Sequence, residues 1–321
     1  MEYILFILGF VFLIKGADML VMAASSFARR LHLSEMIIGL TIVSFGTSLP
    51  ELIVTITASI EGKSDLGLGN VLGSNIANIL FILGVAAMVR PLPIPRDTYF
   101  IEIPFSLLAA LLLGFLANTA LFGAPFGFIS QYDGLVLLYF FALFMVYVFV
   151  VARKNEPINE VNSLNEQAVE TMTKGHAILW FSLGIAGLFI GGRWIVNSAS
   201  EIAMNFGLSE AFTGLTILAI GTSLPELVTS AVAAYRANTA MAVGNAIGSN
   251  IFNILWIIGI SSVINPIEFR PDSNNDILMI IISTSTLIMA VIVGKRPRIS
   301  RWEGLIFIVI YIGYIIHLLQ R

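Results

Sequence analysis

Two carboxylates stand where an apolar chain should hold none. Glu51 and Glu226 each close an identical GTSLPE run, residues 46–51 and 221–226, in the middle of long apolar stretches. An ionised side chain at membrane depth costs several kcal/mol unless something compensates it, so an intramembrane glutamate reads first as part of an ion path. The competing reading leaves each glutamate neutral or paired with a cation from another helix, and within the spans only Lys15 and Arg193 are on hand for that.

The neighbours of both glutamates are oxygen ligands. On a helix, Thr47 lies one turn before Glu51 and Ser48 three residues before it, so both hydroxyls can share the glutamate's face; Thr222 and Ser223 repeat this before Glu226. Pro50 cannot donate to the carbonyl of Gly46, nor Pro225 to that of Gly221, so carbonyls near Thr47 and Thr222 are released toward whatever the site binds. A second repeated motif supplies the complement: Ser74 and Asn78 are four apart on one helix face, as are Ser249 and Asn253. Asn70, Asn75, Asn245 and Asn250 are repeated too but fall off that face, which leaves them as either ligands or interhelical hydrogen bonds. Gly69, Gly73, Gly244 and Gly248 have the small-xxx-small spacing that lets helices pack backbone to backbone.

Carboxylate, hydroxyl, amide and carbonyl oxygens suit hard cations: calcium takes six to eight such ligands, and two glutamate charges neutralise one divalent ion. Zinc, copper and iron are disfavoured, since there is no cysteine and His32, His176 and His317 all fall near helix ends. No HExxH pair occurs and no serine segment has a histidine or lysine base at its depth, so membrane-embedded hydrolysis has no machinery here and no cofactor is called for. Asp18, Lys15 and Arg193 either flank an ion path or pair and snorkel at a boundary.

These residues need a membrane to sit in. Hydrophobic residues make up 57% of the 321, charged residues only 12%, and mean hydropathy is +0.92, so water is not the main solvent. A net charge of -3 gives no footing for nucleic acid. Breaks in the apolar sequence delimit spans near 3–28, 34–60, 66–89, 99–117, 133–152, 177–204, 209–235, 241–264, 276–294 and 303–320. The first is expected to be a retained helix and not a cleaved signal, because no basic segment precedes it. The second and seventh, interrupted by proline, are expected to be broken helices.

The chain is expected to be an all-α membrane protein of ten transmembrane helices arranged as two inverted five-helix repeats. Residues 39–52 and 214–227 agree at eleven of fourteen positions and residues 69–80 and 244–255 at nine of twelve, both at an offset of 175. An odd number of helices per unit inverts the second copy. The units are residues 1–152 and 177–321, joined by a polar linker, 153–176, that reads as solvated, with room for one amphipathic turn. Twelve Lys and Arg fall in loops on the side away from the N-terminus and three on the other, which makes the far side and the linker cytoplasmic and both termini extracytoplasmic in a multi-pass plasma-membrane protein. A monomer in the lipid bilayer is the expected assembly.

The paired GTSLPE and GN-x-x-GSN-x-x-N motifs resemble the α-repeats of the cation/calcium antiporter superfamily, specifically prokaryotic sodium/calcium exchangers, and the resemblance covers the whole chain. It implies alternating-access exchange of sodium for calcium at four sites among the second, third, seventh and eighth helices. Glu51 and Glu226 would take calcium and also sodium, with the carbonyls of Thr47 and Thr222 completing the calcium site. Ser48, Ser74, Ser223 and Ser249 would serve sodium with the carbonyls of Ser44 and Ala219, and Asn78 and Asn253 would fill the remaining corner. Several members, notably potassium-dependent ones, have aspartate at the position of Asn253, so potassium dependence is not expected. Proton/calcium exchange is the nearest alternative, and a passive cation channel the alternative of another class.

Overall fold

The computed structural model describes residues 2–118, 127–154, 172–205, 219–293 and 297–320. The helices are α1 (Glu2–Leu31), α2 (Glu35–Thr47), α3 (Leu49–Ile60), α4 (Leu66–Val89), α5 (Thr98–Ala117), α6 (Gln131–Ala152), α7 (Lys174–Ile202), α8 (Ala219–Thr222), α9 (Leu224–Tyr235), α10 (Thr239–Ile264), α11 (Ser273–Ile292) and α12 (Arg301–Leu318). Among the described residues eight are long and apolar enough to cross a membrane, and α2 with α3 forms a ninth candidate bent by 47°. The start of the expected seventh span, 209–218, and most of the linker, 155–171, lie outside the described residues; the linker's last residues, from Lys174, already belong to α7.

Burial ranks the helices by what surrounds them. In α4 and α10, 78% of the apolar window is buried, against 17% in α6 and 11% in α12, so α4 and α10 form the centre and α6 and α12 turn most of their surface outward. Tyr139, Val146, Val309 and Ile312 on those outer helices are exposed, as expected where lipid is the solvent.

Glycines set the closest approaches. A Cβ on Gly248 would lie 2.6 Å from the Leu40 carbonyl oxygen, and one on Gly244 2.6 Å from that of Met36, so α2 and α10 touch backbone to backbone as the small-xxx-small spacing implies. Gly69 and Gly73 make no such approach among the described residues. Helices α1 and α7 form a second contact of this kind: a Cβ on Gly16 would meet the Gly184 carbonyl at 2.8 Å, and one on Gly191 that of Gly9 at 2.7 Å.

Helical periodicity does not anticipate two short antiparallel ladders between loops. Strand β1 (Leu92–Pro93) pairs with β4 (Arg298–Ile299), and β2 (Phe128–Ile129) with β3 (Ile267–Glu268). Each ties the first half of the chain to the second, and β1 and β3 are again 175 residues apart. Wide π-helical turns interrupt α2 at Gly39–Val43, α4 at Asn78–Ile82 and α10 at Phe252–Ile258. Such turns concentrate at functional sites because they displace side chains from the regular helical register.

Candidate cation site

The site forms where two identical chain breaks meet the two central helices. Ser48 separates α2 from α3 with φ -84° and ψ 7°, and Ser223 separates α8 from α9 with φ -88° and ψ 2°. The following prolines sit in the first turn of α3 and α9, where a missing N–H costs nothing. Both expected breaks are therefore present, and each delivers its glutamate to the first turn of the following helix. Glu51 and Glu226 are 0% and 1% exposed, so neither charge is relieved by solvent.

The hydroxyls at the two breaks reach residues of the other half. Ser48 Oγ donates to Glu226 Oε1 at 3.0 Å, and Thr47 Oγ1 donates to Asn245 Oδ1 at 3.1 Å. In return Thr222 Oγ1 donates to Asn70 Oδ1 at 2.9 Å, while Ser223 Oγ donates to Ser74 Oγ at 3.0 Å and Ser74 Oγ to Glu51 Oε1 at 3.4 Å. Thr47 and Ser48 were expected to share the face of Glu51; beside the bend at Ser48 their hydroxyls are hydrogen-bonded to Asn245 and Glu226 of the second half. The Ser44 carbonyl accepts the Ser48 N–H at 3.0 Å and Thr47 Oγ1 at 3.4 Å, closing the last turn before the break. Ala219 opens α8.

The central helices supply amides. Asn78 Nδ2 donates to Asn250 Oδ1 at 2.9 Å and Asn253 Nδ2 to Asn75 Oδ1 at 3.0 Å, so each outer asparagine is held by the inner asparagine of the other half. Asn245 donates to Ser230 Oγ at 3.0 Å and to the Glu226 carbonyl at 3.4 Å. The inner asparagines thus make interhelical hydrogen bonds, and Asn70 and Asn245 receive the threonines. Their repetition at the 175-residue offset was the available signal; which residue each would meet was not.

Five buried oxygens of the two glutamates and the two central helices have no hydrogen-bond partner among the described residues: Glu51 Oε2, Glu226 Oε2, Asn78 Oδ1, Asn253 Oδ1 and Ser249 Oγ. All five belong to residues picked out by their types and spacing, and buried polar atoms are left unsatisfied at real cost unless they have work to do. No lysine or arginine pairs with either glutamate among the described residues. Asp18 is taken by Arg236 at 2.5 Å, and Lys15 and Arg193 face outward. The three histidines stay apart at helix ends: His32 closes α1 with φ 56°, His176 lies in the first turn of α7 and His317 near the end of α12. A groove of about 320 Å³ between α7 and the α2–α3 break, lined by Ile185, Phe189, Gly46 and Pro50, reaches Thr47 and Pro225 and is almost wholly apolar.

Two buried carboxylates without a cationic partner among the described residues thus stand at a doubled helix break inside the helical core of a membrane protein. The chain belongs to the sodium/calcium exchanger family: the family model described as sodium/calcium exchanger protein matches residues 1–150 and 176–320. It is 37% identical over 308 residues to inner membrane protein YrbG of Escherichia coli, covering 94% of this chain and 92% of that one. It is 33% identical over 349 aligned positions to sodium/calcium exchanger MaX1 of Methanosarcina acetivorans, covering 98% and 97%. Its fold matches the sodium-calcium exchanger NCX_Mj with a TM-score of 0.81 and 29% identity over 98% of this chain and 97% of that one. Membership places the chain among cation/calcium antiporters, which are transporters and not enzymes.

Proposed function

We propose that the chain exchanges sodium for calcium across the plasma membrane by alternating access, both ions competing for the cluster around Glu51 and Glu226. The five unpartnered oxygens carry this reading, because a calcium ion takes such a mixed set and the two carboxylates balance its charge. Sodium would use the neutral oxygens: Ser48, Ser74, Ser223 and Ser249 with the carbonyls of Ser44 and Ala219, while the carbonyls of Thr47 and Thr222 would complete the calcium site and Asn78 and Asn253 the amide corners. Coupling follows from competition, since either ion set neutralises carboxylates whose exposure to the membrane would otherwise oppose movement of the surrounding helices.

The proposed frame is ten helices in two inverted units, 1–152 and 177–321, around linker 153–176, with both termini extracytoplasmic. The ladders support it: in that topology β1 and β4 fall in loops of one membrane face and β2 and β3 in loops of the other, and the 175-residue equivalents β1 and β3 lie on opposite faces.

The test is calcium-45 uptake into proteoliposomes loaded with sodium, with potassium and proton gradients as controls. Uptake that needs the outward sodium gradient supports the reading. Uptake driven as well by a proton gradient alone replaces sodium with protons as the coupled ion, and fast uptake with no counter-ion makes the protein a channel.

A further inference from the structure

The orientation of the outer amides can be traced back to main-chain atoms. Asn75 and Asn250, buried equivalents in the two GSN motifs, reach across the centre of the molecule to each other. Asn75 Nδ2 donates to the Asn250 carbonyl at 3.3 Å, and Asn250 Nδ2 donates to the Asn75 carbonyl at 3.1 Å. A main-chain carbonyl only accepts, so both NH2 groups must face inward across this pair and both Oδ1 atoms must face away from it. Those two Oδ1 atoms are the acceptors for Asn78 Nδ2 and Asn253 Nδ2. An acceptor at that position obliges each outer asparagine to present its nitrogen there, which leaves Asn78 Oδ1 and Asn253 Oδ1 as the unpartnered atoms.

We propose that Asn75 and Asn250 are positioning residues that decide both which atom Asn78 and Asn253 offer to the cation and which residue type can occupy those corners. This rests on the cation-site reading above. An aspartate at 253 would set a carboxylate oxygen about 3.0 Å from Asn75 Oδ1 with no hydrogen between them, taking the place of the present amide bond. Rotating Asn75 to donate instead turns its own oxygen onto the Asn250 carbonyl. The same holds at 78 with Asn250. The pair therefore keeps both corners neutral and confines the site's negative charge to Glu51 and Glu226, the two charges that match one divalent ion. Because each inner asparagine holds the other as well as a corner, loosening one loosens both corners.

The experiment is a double-mutant cycle on the full chain in proteoliposomes, reading the calcium KM and the maximal exchange rate for wild type, Asn75→Ser, Asn253→Asp and the combination. Serine can donate where Asn75 can only accept. Asn75→Ser alone is expected to raise the calcium KM by about 10–100-fold, the usual cost of losing a group that orients a metal ligand, with a smaller change in maximal rate. Asn253→Asp alone is expected to cut exchange, and adding Asn75→Ser is expected to recover at least about tenfold of that loss, a coupling between neighbours that independent sites would not show. Effects of Asn253→Asp that are the same in both backgrounds overturn the inference, as does an unchanged calcium KM in Asn75→Ser. If any of these variants fails to fold, by elution volume and melting temperature, Asn250→Ser with Asn78→Asp measures the same coupling in the other half. A wild-type chain that exchanges no calcium overturns the cation-site reading itself, whereas an active wild type with additive variants overturns this inference alone.

Discussion

Gly248→Ala adds one methyl group and should disable the transporter more than it destabilises it. The new Cβ would stand 2.6 Å from the Leu40 carbonyl oxygen, 2.7 Å from Ser44 Oγ and 2.8 Å from Leu40 Cα, while ordinary van der Waals contact begins at 3.4 Å. Two of these three neighbours are backbone atoms, so no rotamer change absorbs the overlap and α10 must move off α2 by about 0.8 Å. Overpacking of this size costs about 1–3 kcal/mol, which lowers the melting temperature by several degrees. The same displacement acts on the neighbours Ser249 and Asn253 relative to Glu51, and ion coordination tolerates errors of only about 0.2 Å. Calcium exchange is therefore expected to fall at least about tenfold while the purified protein still elutes as a folded species. Gly313→Ala is the control, because a Cβ there meets nothing within 4 Å and Gly313 lies on the outer helix α12. Unchanged calcium-45 exchange in Gly248→Ala, or an equal loss in Gly313→Ala, would refute the claim that α2–α10 contact sets the geometry of the site.

Ser48→Ala removes the hydroxyl that donates to Glu226 at 3.0 Å, a bond to a charged group worth about 1.5–3 kcal/mol, so the sodium dependence of exchange should shift to higher concentration by about tenfold or more. A sodium half-saturation unchanged from wild type contradicts this. Tyr147→Phe strips Glu102 Oε1 of its 2.8 Å donor when Glu102 Oε2 already has no partner among the described residues, and should lower stability by about 1–3 kcal/mol in a thermal melt without changing the ions exchanged. Arg236→Gln breaks the pair with Asp18, but both side chains are about one-third exposed, so the stability loss should stay under about 1 kcal/mol and shrink with added salt. A larger, salt-independent loss would show that this pair is screened from solvent.

Local sequence made the outline of the site legible because the membrane makes polarity costly. Glu51 and Glu226 stand out for that reason, Ser48 and Ser223 through the prolines two residues on, and Asn78 and Asn253 through a four-residue spacing repeated 175 residues later. The span limits were legible too, within a few residues, wherever the described residues cover them: the apolar stretch 99–117 corresponds to the helix Thr98–Ala117. Which residue each hydroxyl meets was hidden. The bend at Ser48 is a tertiary outcome that sends Ser48 to Glu226 instead of Glu51, and spacing along one helix carries no information about a residue 178 positions away. The same limit hid the ladder of Leu92 with Ile299 and the pairing of Tyr147 with Glu102, since two-residue strands and single buried pairs leave no period in the sequence. The π-helical turns at Asn78 and Phe252 leave none either, because they differ from an α-helix by one residue per turn.

Whether one set of oxygens serves both ions is decided by equilibrium calcium-45 binding to the purified full-length chain, titrated with sodium, for wild type and for the Glu51→Gln/Glu226→Gln double variant. One calcium bound per chain, displaced by sodium in wild type and absent from a folded double variant, is the expected result. Calcium binding that survives both substitutions, or that sodium fails to displace, would contradict a single shared site at Glu51 and Glu226.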